Sequence, residues 1–140
     1  MAIRPGTADR RRALFDEAVE IIEREYPDEL ELDDVARRLA TSRRQLQRAF
    51  AEAGDTTFRT HLAHVRMRKA LEMLREGSLP VREVAARVGY RQAAQFAKTF
   101  RRHHGRPPSS FRGEMNGRSE YGAEPERAHA PRASYSAAPA

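Results

Sequence analysis

An internal repeat constrains the fold of this chain more than any other feature of its sequence. Residues 34–50, DVARRLATSRRQLQRAF, resemble residues 83–100, EVAARVGYRQAAQFAKTF. The copies are offset by 49 residues at the start and 50 at the end, so one residue is inserted in the second copy. Each copy has a short apolar-faced segment, a break of about four residues and a second such segment, which is the layout of a helix-turn-helix.

The apolar spacing elsewhere predicts helices, and no run alternates long enough for a strand. Residues 9–25 and 57–76 both repeat apolar side chains at the helical period. The side chains expected on their buried faces are Leu14, Ala18, Ile21 and Ile22 in the first segment and Phe58, Leu62, Val65, Leu71 and Leu74 in the second. The predicted fold class is therefore all-α, with two helix-turn-helix subdomains joined by a long linker helix.

Glycine and proline mark where the predicted segments begin and end. Pro27 follows the first segment, and four glycines stand at later segment ends. These glycines are expected to adopt the positive φ that a residue just past a helix often needs; they are Gly54, Gly77, Gly89 and Gly105.

The charged residues are unevenly distributed along the chain. Residues 1–34 carry 5 basic and 11 acidic side chains, whereas residues 35–112 carry 18 basic and 5 acidic ones. The repeat region thus has a net charge of +13, within a chain whose formal total is +6. Such a concentration of positive charge is typical of a protein that binds a polyanion, although a solvated arginine-rich surface is an alternative.

Composition excludes several other classes. The chain has no cysteine, which excludes a disulfide scaffold, a thiolate zinc site and a cysteine nucleophile. Its start has no apolar segment of the secretory type, and no 18 apolar residues run together. We therefore expect a cytoplasmic protein with no membrane partner.

The second segment of the first copy has the chemistry of a DNA recognition helix. Ser42 and Gln45 have the spacing of a capping box at its start. Arginine pairs with guanine and glutamine with adenine in the major groove of double-stranded DNA. The candidate DNA-binding residues on the outward face, including the cap, are Ser42, Arg43, Arg44, Gln47 and Arg48. A basic amphipathic helix exposed to solvent is the alternative.

The second copy is expected to position the protein more than it reads bases. Alanine touches a thymine methyl but donates no hydrogen bond, and Ala93 and Ala94 stand early in its second segment. The other outward candidates in this copy are Arg91, Gln92, Gln95, Lys98, Arg101 and Arg102. Arg66, on the linker helix, is a candidate either for phosphate contact or for structural bracing.

These residues and their spacing resemble the DNA-binding domain of the AraC/XylS family of bacterial transcription regulators. The resemblance covers residues 9–112, and its most specific stretch is VGYRQAAQFAKTFRRHHGRPPSSFR, residues 88–112. It implies about seven helices and base contacts from both recognition helices, which here are Arg44, Gln47, Arg48, Ala93, Ala94, Gln95 and Lys98. The family commonly has Asp or Ser near the start of the second recognition helix, where this chain has Gln92 and Ala94.

The sequence and the resemblance together predict the following organisation. Residues 1–8 are an N-terminal extension, 9–112 the DNA-binding domain and 113–140 a disordered tail. Within the domain, the parts are a first helix-turn-helix at 32–53, a linker helix at 57–76 and a second helix-turn-helix at 80–104. No small-molecule effector domain is evident, which suits a short stand-alone member or a fragment of a larger effector-regulated regulator.

The predicted function is sequence-specific regulation of transcription, with the two recognition helices in successive major grooves. Activation through contact with RNA polymerase is the commoner mode that the resemblance implies. A helix-turn-helix adaptor that binds another protein is the alternative from a different class.

Enzyme activity, a cofactor and a metal site are not expected. His61 and His64 lack a carboxylate or cysteine to complete a ligand set, and His61 is interpreted as a packing residue. Ser109 and Ser110 follow two prolines and suit a helix start better than a nucleophile.

Overall fold

The computed structural model describes residues 6–114 and is all-helical over that range, as the sequence predicted. It contains six α-helices and one 3₁₀ helix: α1 (Thr7–Glu25), α2 (Leu32–Arg38), α3 (Arg43–Gly54), α4 (Phe58–Glu76), α5 (Val81–Arg87), α6 (Ala93–His104) and the 3₁₀ helix Pro108–Phe111. The chain divides into two compact units after Val65, within α4. We call the described residues 6–65 the first unit and 66–114 the second unit.

Helix α1 provides one wall of the first unit. It buries Ala18, Ile21 and Ile22, as its spacing predicted, and Leu14 packs partly buried against the same core. The helix begins at Thr7, two residues before the predicted domain start at residue 9. It ends at Glu25, ahead of the Tyr26–Pro27 pair.

The core of the first unit is built around one phenylalanine of α3. Phe50 is fully buried, and its ring lies edge-on to Phe15 of α1 at 5.0 Å between centroids and to Phe58 of α4 at 5.7 Å. The His61 ring lies 6.0 Å from both Phe15 and Phe50. Edge-to-face pairs of this kind add about 0.5–1.5 kcal/mol to burial, so this cluster fixes α3 against α1 and α4.

Gly54 does not have the role that its place in the sequence suggested. It is the last residue of α3, and Asp55 takes the left-handed conformation instead, at φ 52° and ψ 42°. A Cβ on Gly54 would lie 2.4 Å from Cε1 of Phe15. The glycine is therefore needed for close packing of α3 on α1 rather than for a positive φ. Gly77, Gly89 and Gly105 do have positive φ, as predicted.

The same hydrogen-bonded turn occurs in both helix-turn-helix units. The Thr41 N–H donates to the Ala36 carbonyl at 2.9 Å, and the Tyr90 N–H donates to the Ala85 carbonyl at the same distance. The first helices end 49 residues apart, with C-caps Leu39 and Val88, and the N-caps of the second helices are 50 apart. The extra residue therefore lies inside the second turn, where the repeat placed it.

The residue before this hydrogen-bonded amide is left-handed in both turns. It is Ala40 in the first unit, at φ 55°, and Gly89 in the second, at φ 100°. A left-handed conformation costs an alanine roughly 1–2 kcal/mol and costs glycine almost nothing. The first turn therefore carries strain that the second turn avoids.

The second unit encloses its own aromatic core. Phe96 and Phe100 of α6 are fully buried with Val84 of α5 and its C-cap residue Val88. Phe111 of the 3₁₀ helix lies 5.7 Å from Phe100 between ring centroids and is 6% exposed. This 3₁₀ helix therefore closes one side of the second core.

Gly113 and Glu114, which follow the 3₁₀ helix closely, form hydrogen bonds and ion pairs with the second unit. The Gly113 N–H donates to the Leu74 carbonyl at 2.8 Å, and the Glu114 carboxylate accepts from Arg75 at 2.7 Å and from Arg106 at 3.4 Å. These contacts extend two residues into the range predicted as a tail, 113–140, whose remainder lies outside the described residues. Residues 1–5 of the predicted N-terminal extension also lie outside them.

The buried side chains of helix α4 do not form one continuous apolar stripe. Phe58, Leu62 and Val65 are buried in the first unit as predicted, and Leu74 is buried in the second. Leu71, which was expected on the same face, is only half-buried, whereas Met67 and Ala70 are buried. The prediction treated the helix as having one core, but its two halves serve two cores.

Exchanging alanine and glycine at the two turns is expected to change stability in opposite directions. Ala40→Gly removes the left-handed strain at the cost of about 0.4–1 kcal/mol of unfolded-chain entropy, so a net gain of about 0.5–1 kcal/mol is expected. Gly89→Ala introduces the strain and brings a Cβ within 3.0 Å of the Arg66 guanidinium, while it gains the same unfolded-chain entropy, so a net loss of about 0.5–1 kcal/mol or more is expected. The free energy of unfolding, from urea titration followed by circular dichroism, measures both changes.

Ala51→Gly provides the control for this pair, because Ala51 is an exposed residue of α3. Glycine in a helix interior costs about 1 kcal/mol, so this variant is expected to lose stability. A loss of the same size for Ala40→Gly would contradict the left-handed turn in the first unit.

Candidate nucleic-acid interface

The start of α3 is fixed by a side-chain cap. Ser42 has extended backbone angles, and its Oγ accepts a hydrogen bond from the Gln45 N–H at 3.1 Å. The serine half of the capping box predicted from the Ser42–Gln45 spacing is thus present, and no bond from the Ser42 N–H to the Gln45 side chain is found among the described residues. Leu46, Ala49 and Phe50 hold the opposite face of the helix in the core. The outward side chains therefore project from a helix that is fixed at its start and along its inner face.

The outward face of α3 carries the predicted base-reading side chains. Arg43, Arg44, Gln47 and Arg48 are all exposed. Arg43 donates to the Asp33 carboxylate of α2 at 3.1 Å. Within residues 6–114, Arg44, Gln47 and Arg48 make no side-chain hydrogen bond or ion pair to the protein. Their donors are therefore available for a ligand.

Other arginines of the first unit are neutralised by carboxylates. Arg38 donates to both oxygens of Glu25, at 2.8 and 2.6 Å, and this contact lowers the pKa of Glu25. Arg37 pairs with Asp34 at 2.5 Å, and Arg11 pairs with Glu52. Arg44 and Arg48, on the outward face of α3, have no such partner within residues 6–114.

The first turn of α3 is electropositive for a second reason. It contains two arginines and no acidic residue. The unpaired N–H groups at a helix start carry the positive end of the helix dipole, which adds to the charge of Arg43 and Arg44. An arrangement of this kind attracts anions and acceptor atoms.

Helix α6 presents a weaker version of the same face. Its N-cap is Gln92, whose side chain makes no cap hydrogen bond, as the absence of Ser or Asp there predicted. Ala93 and Ala94 follow and are exposed. The Gln95 amide nitrogen donates to the Thr99 hydroxyl at 3.5 Å, so this side chain already has a contact within its own helix.

The basic side chains of the second unit lie around and beyond the start of α6. Lys98 is exposed on α6, and Arg101 and Arg102 are exposed in its last turn. Arg91 is exposed in the turn that precedes the helix. Basic residues favour a helix C-terminus, so Arg101 and Arg102 also stabilise α6. The second unit therefore combines positive charge with few base-reading donors.

Arg66 of α4 lies against the turn that precedes α6. It is half-buried, and its guanidinium carbon lies 5.8 Å from the centre of the Tyr90 ring. A Cβ on Gly89 would come within 3.0 Å of the same guanidinium. Burial lowers the pKa of Arg66 from its ordinary value. Of its two predicted roles, the contacts favour bracing, here against the turn before α6.

Asp33 was not among the site residues predicted from the sequence. It lies in the first turn of α2, where the helix dipole favours an acidic side chain. Its carboxylate also pairs with Arg43, ten residues further along the chain. Only the packing of α2 against α3 brings these two side chains together, and the repeat gives no indication of it.

His61, His104 and Ser110 make contacts within their own units. The ring of His61 lies among Phe15 and Phe50, and that of His104 lies 3.1 Å from the Met67 carbonyl oxygen. The Ser110 hydroxyl donates to the Pro107 carbonyl at 2.7 Å. In the part of the chain that the structure describes, no three His, Asp or Glu residues form a group that could hold a metal. Nor is any helix there sufficiently long and apolar to cross a membrane.

Comparisons with known proteins agree with this geometry. A family model described as a helix-turn-helix domain matches residues 35–114. The Msm operon regulatory protein of Streptococcus mutans is 28% identical over 104 residues, which are 74% of this chain and 37% of that protein. The chain thus spans well under half the length of this relative.

Solved structures show the same fold. A transcriptional regulator with an AraC-type DNA-binding domain from Chromobacterium violaceum has a TM-score of 0.70 and 26% identity, over 74% of this chain and 93% of that one. The C-terminal domain of AraT, a response regulator from Geobacillus stearothermophilus, has a TM-score of 0.68 and 31% identity, over 71% of this chain and 83% of that one.

The fold and the exposed basic helix define a DNA-binding domain with two helix-turn-helix units. The chain belongs to the AraC-type helix-turn-helix family of DNA-binding transcriptional regulators, which the sequence resemblance had indicated.

The unequal caps of α3 and α6 lead to a prediction about stability. Ser42→Ala removes a cap hydrogen bond and is expected to cost about 1 kcal/mol of unfolding free energy. Gln92→Ser introduces a cap residue where none acts and is expected to gain about 0.5–1 kcal/mol. Thermal and urea unfolding of the purified variants measure these changes.

Gln92→Ala is the matched control, since the Gln92 side chain makes no cap bond. It is expected to leave stability nearly unchanged. If Gln92→Ser gave no more stability than Gln92→Ala, a serine cap at the start of α6 would be excluded.

Proposed function

We propose that this chain binds a specific double-stranded DNA site and regulates transcription from it, with α3 as the principal reader. The observation that carries the proposal is the outward face of α3. There Arg44, Gln47 and Arg48 are exposed and make no contact within residues 6–114 that would have to be broken. These are the side chains that pair with guanine and adenine edges in the major groove.

The second unit is proposed to engage the neighbouring major groove mainly through charge. Exposed Lys98, Arg101 and Arg102 suit phosphate contact, and Ala93 and Ala94 suit apolar contact with thymine. Helix α4, which has 19 residues, links the two units. One monomer is proposed to use both grooves. Because the two faces differ, the proposed site is asymmetric.

Selection of bound sequences from a random DNA pool tests this proposal most directly. An enriched asymmetric site of about two helical turns is expected. A site of half that length would show that the second unit does not read bases. No enrichment would refute sequence-specific binding and would leave the protein-binding adaptor as the better hypothesis.

We further propose that the regulation is activation through contact with RNA polymerase, which is the commoner mode implied by the family. Transcription in vitro from a promoter that carries the selected site, with purified polymerase, is expected to rise when this chain is added. A fall in transcript would instead assign repression by occlusion.

Replacing single arginines is expected to separate base reading from phosphate contact. Arg44→Ala should lose about 1–3 kcal/mol of discrimination at one base pair of the selected site. Arg101→Ala should weaken binding to all sequences alike. It should also reduce, by about 1, the slope with which the logarithm of the binding constant falls against the logarithm of the salt concentration, called the salt slope below. Fluorescence anisotropy with specific and scrambled duplexes, over a range of salt concentrations, measures both quantities.

Arg10→Ala is the control, because Arg10 is an exposed arginine of α1. It is expected to change neither discrimination nor the salt slope appreciably. An Arg44→Ala variant that lost affinity equally for every sequence would contradict its role as a reader and would assign it to phosphate contact.

A further inference from the structure

We propose that Asp33 is a positioning residue that orients Arg43 for base recognition by α3. This inference rests on the proposed DNA-binding function and deepens it. It assigns a role at the DNA surface to a carboxylate, a group that by its charge alone opposes DNA binding.

The Asp33–Arg43 pair joins the starts of the two helices of the first helix-turn-helix. Asp33 lies in the first turn of α2, and its Oδ1 accepts from Nη1 of Arg43, the first residue of α3, at 3.1 Å. Buried Val35 and Leu46 hold these two helices in the same core. The backbones that carry the two side chains are therefore fixed relative to each other.

The pair is open to a ligand. The Arg43 side chain is 61% exposed and the Asp33 side chain 56% exposed. A guanidinium has five N–H donors in a planar fork, so a bond from Nη1 leaves donors on Nη2 and Nε for a base edge. Because the contact limits the rotamers of a long side chain, less conformational entropy is lost when that side chain binds.

An exposed pair of this kind adds little to stability, usually 0–1 kcal/mol. Its main effect is therefore expected on the direction of the guanidinium rather than on folding. Asp33 also places a negative charge next to the proposed DNA-reading face of α3, which lowers affinity for every DNA sequence. Any benefit of Asp33 is therefore expected as stronger discrimination between DNA sequences and not as higher affinity for DNA.

The second unit provides an internal contrast. By the offset of the repeat, Asp33 corresponds to Arg82 and Arg43 corresponds to Ala93. An arginine and an alanine cannot form such a pair. This Asp–Arg pair thus occurs only in the unit whose recognition helix begins with arginine, among the residues that the structure describes.

The test compares Asp33→Asn with Asp34→Asn, using the whole chain and two duplexes, the selected site and a scrambled sequence. Asp34 is the matched control because it is the neighbouring carboxylate and pairs with Arg37 of its own helix. Each change removes one negative charge, so both variants are expected to bind the scrambled duplex more tightly and to similar degrees.

Only Asp33→Asn is expected to lose discrimination. The ratio of affinities for the selected and scrambled duplexes should fall about fivefold, the lower end of what one bidentate base contact provides. In an Arg43→Ala background, Asp33→Asn should have no further effect on this ratio, since its partner is absent. Measured unfolding free energies of all variants show whether folding has changed.

The outcomes separate this inference from the proposed function. If the wild-type chain prefers no sequence, the proposed function fails and the role of Asp33 fails with it. If the wild-type chain is selective but the ratio falls equally for Asp33→Asn and Asp34→Asn, or falls for neither, the positioning role is overturned while the proposed function stands. A loss that persists in the Arg43→Ala background would also overturn it.

Discussion

The structure of each unit depends on one backbone constraint, the left-handed residue between its two helices. With Ala40 or Gly89 in that conformation, the next amide can donate to a carbonyl of the preceding helix, at 2.9 Å in both units. This hydrogen bond ends the first helix and redirects the chain so that the second helix packs across it. The apolar contacts of Phe50 and Phe100 become possible only after that change of direction.

The helices and their outward faces could be predicted from the sequence because each depends on residues only a few positions apart. Apolar spacing identified the buried faces of α1 and of the first half of α4, and the Ser42–Gln45 spacing identified a cap. What failed depended on contacts between distant residues. Gly54 is a glycine because of Phe15, 39 positions earlier, and no local rule indicates that.

The basic residues of the repeat region have at least three different roles, which the net charge of the sequence could not distinguish. Arg66 braces a turn against Tyr90, and Arg106 lies 3.9 Å above the centre of the Phe111 ring while it also pairs with Glu114. Arg44 and Arg48 have no partner within residues 6–114. A guanidinium that stacks on an aromatic ring and one that is available to DNA make the same contribution to a charge count.

The first turn of α3 carries side chains that oppose the stability of the helix. The positive end of the helix dipole favours acidic residues there, and a basic residue in the first turn costs roughly 0.3–1 kcal/mol. Arg43 and Arg44 occupy that turn, which contains no acidic residue. Ala40 adds left-handed strain in the turn that precedes the helix. The Ser42 cap and the burial of Leu46 and Phe50 offset these costs. The helix that bears the candidate reading residues is therefore held by its cap and core against the unfavourable charge of its own first turn.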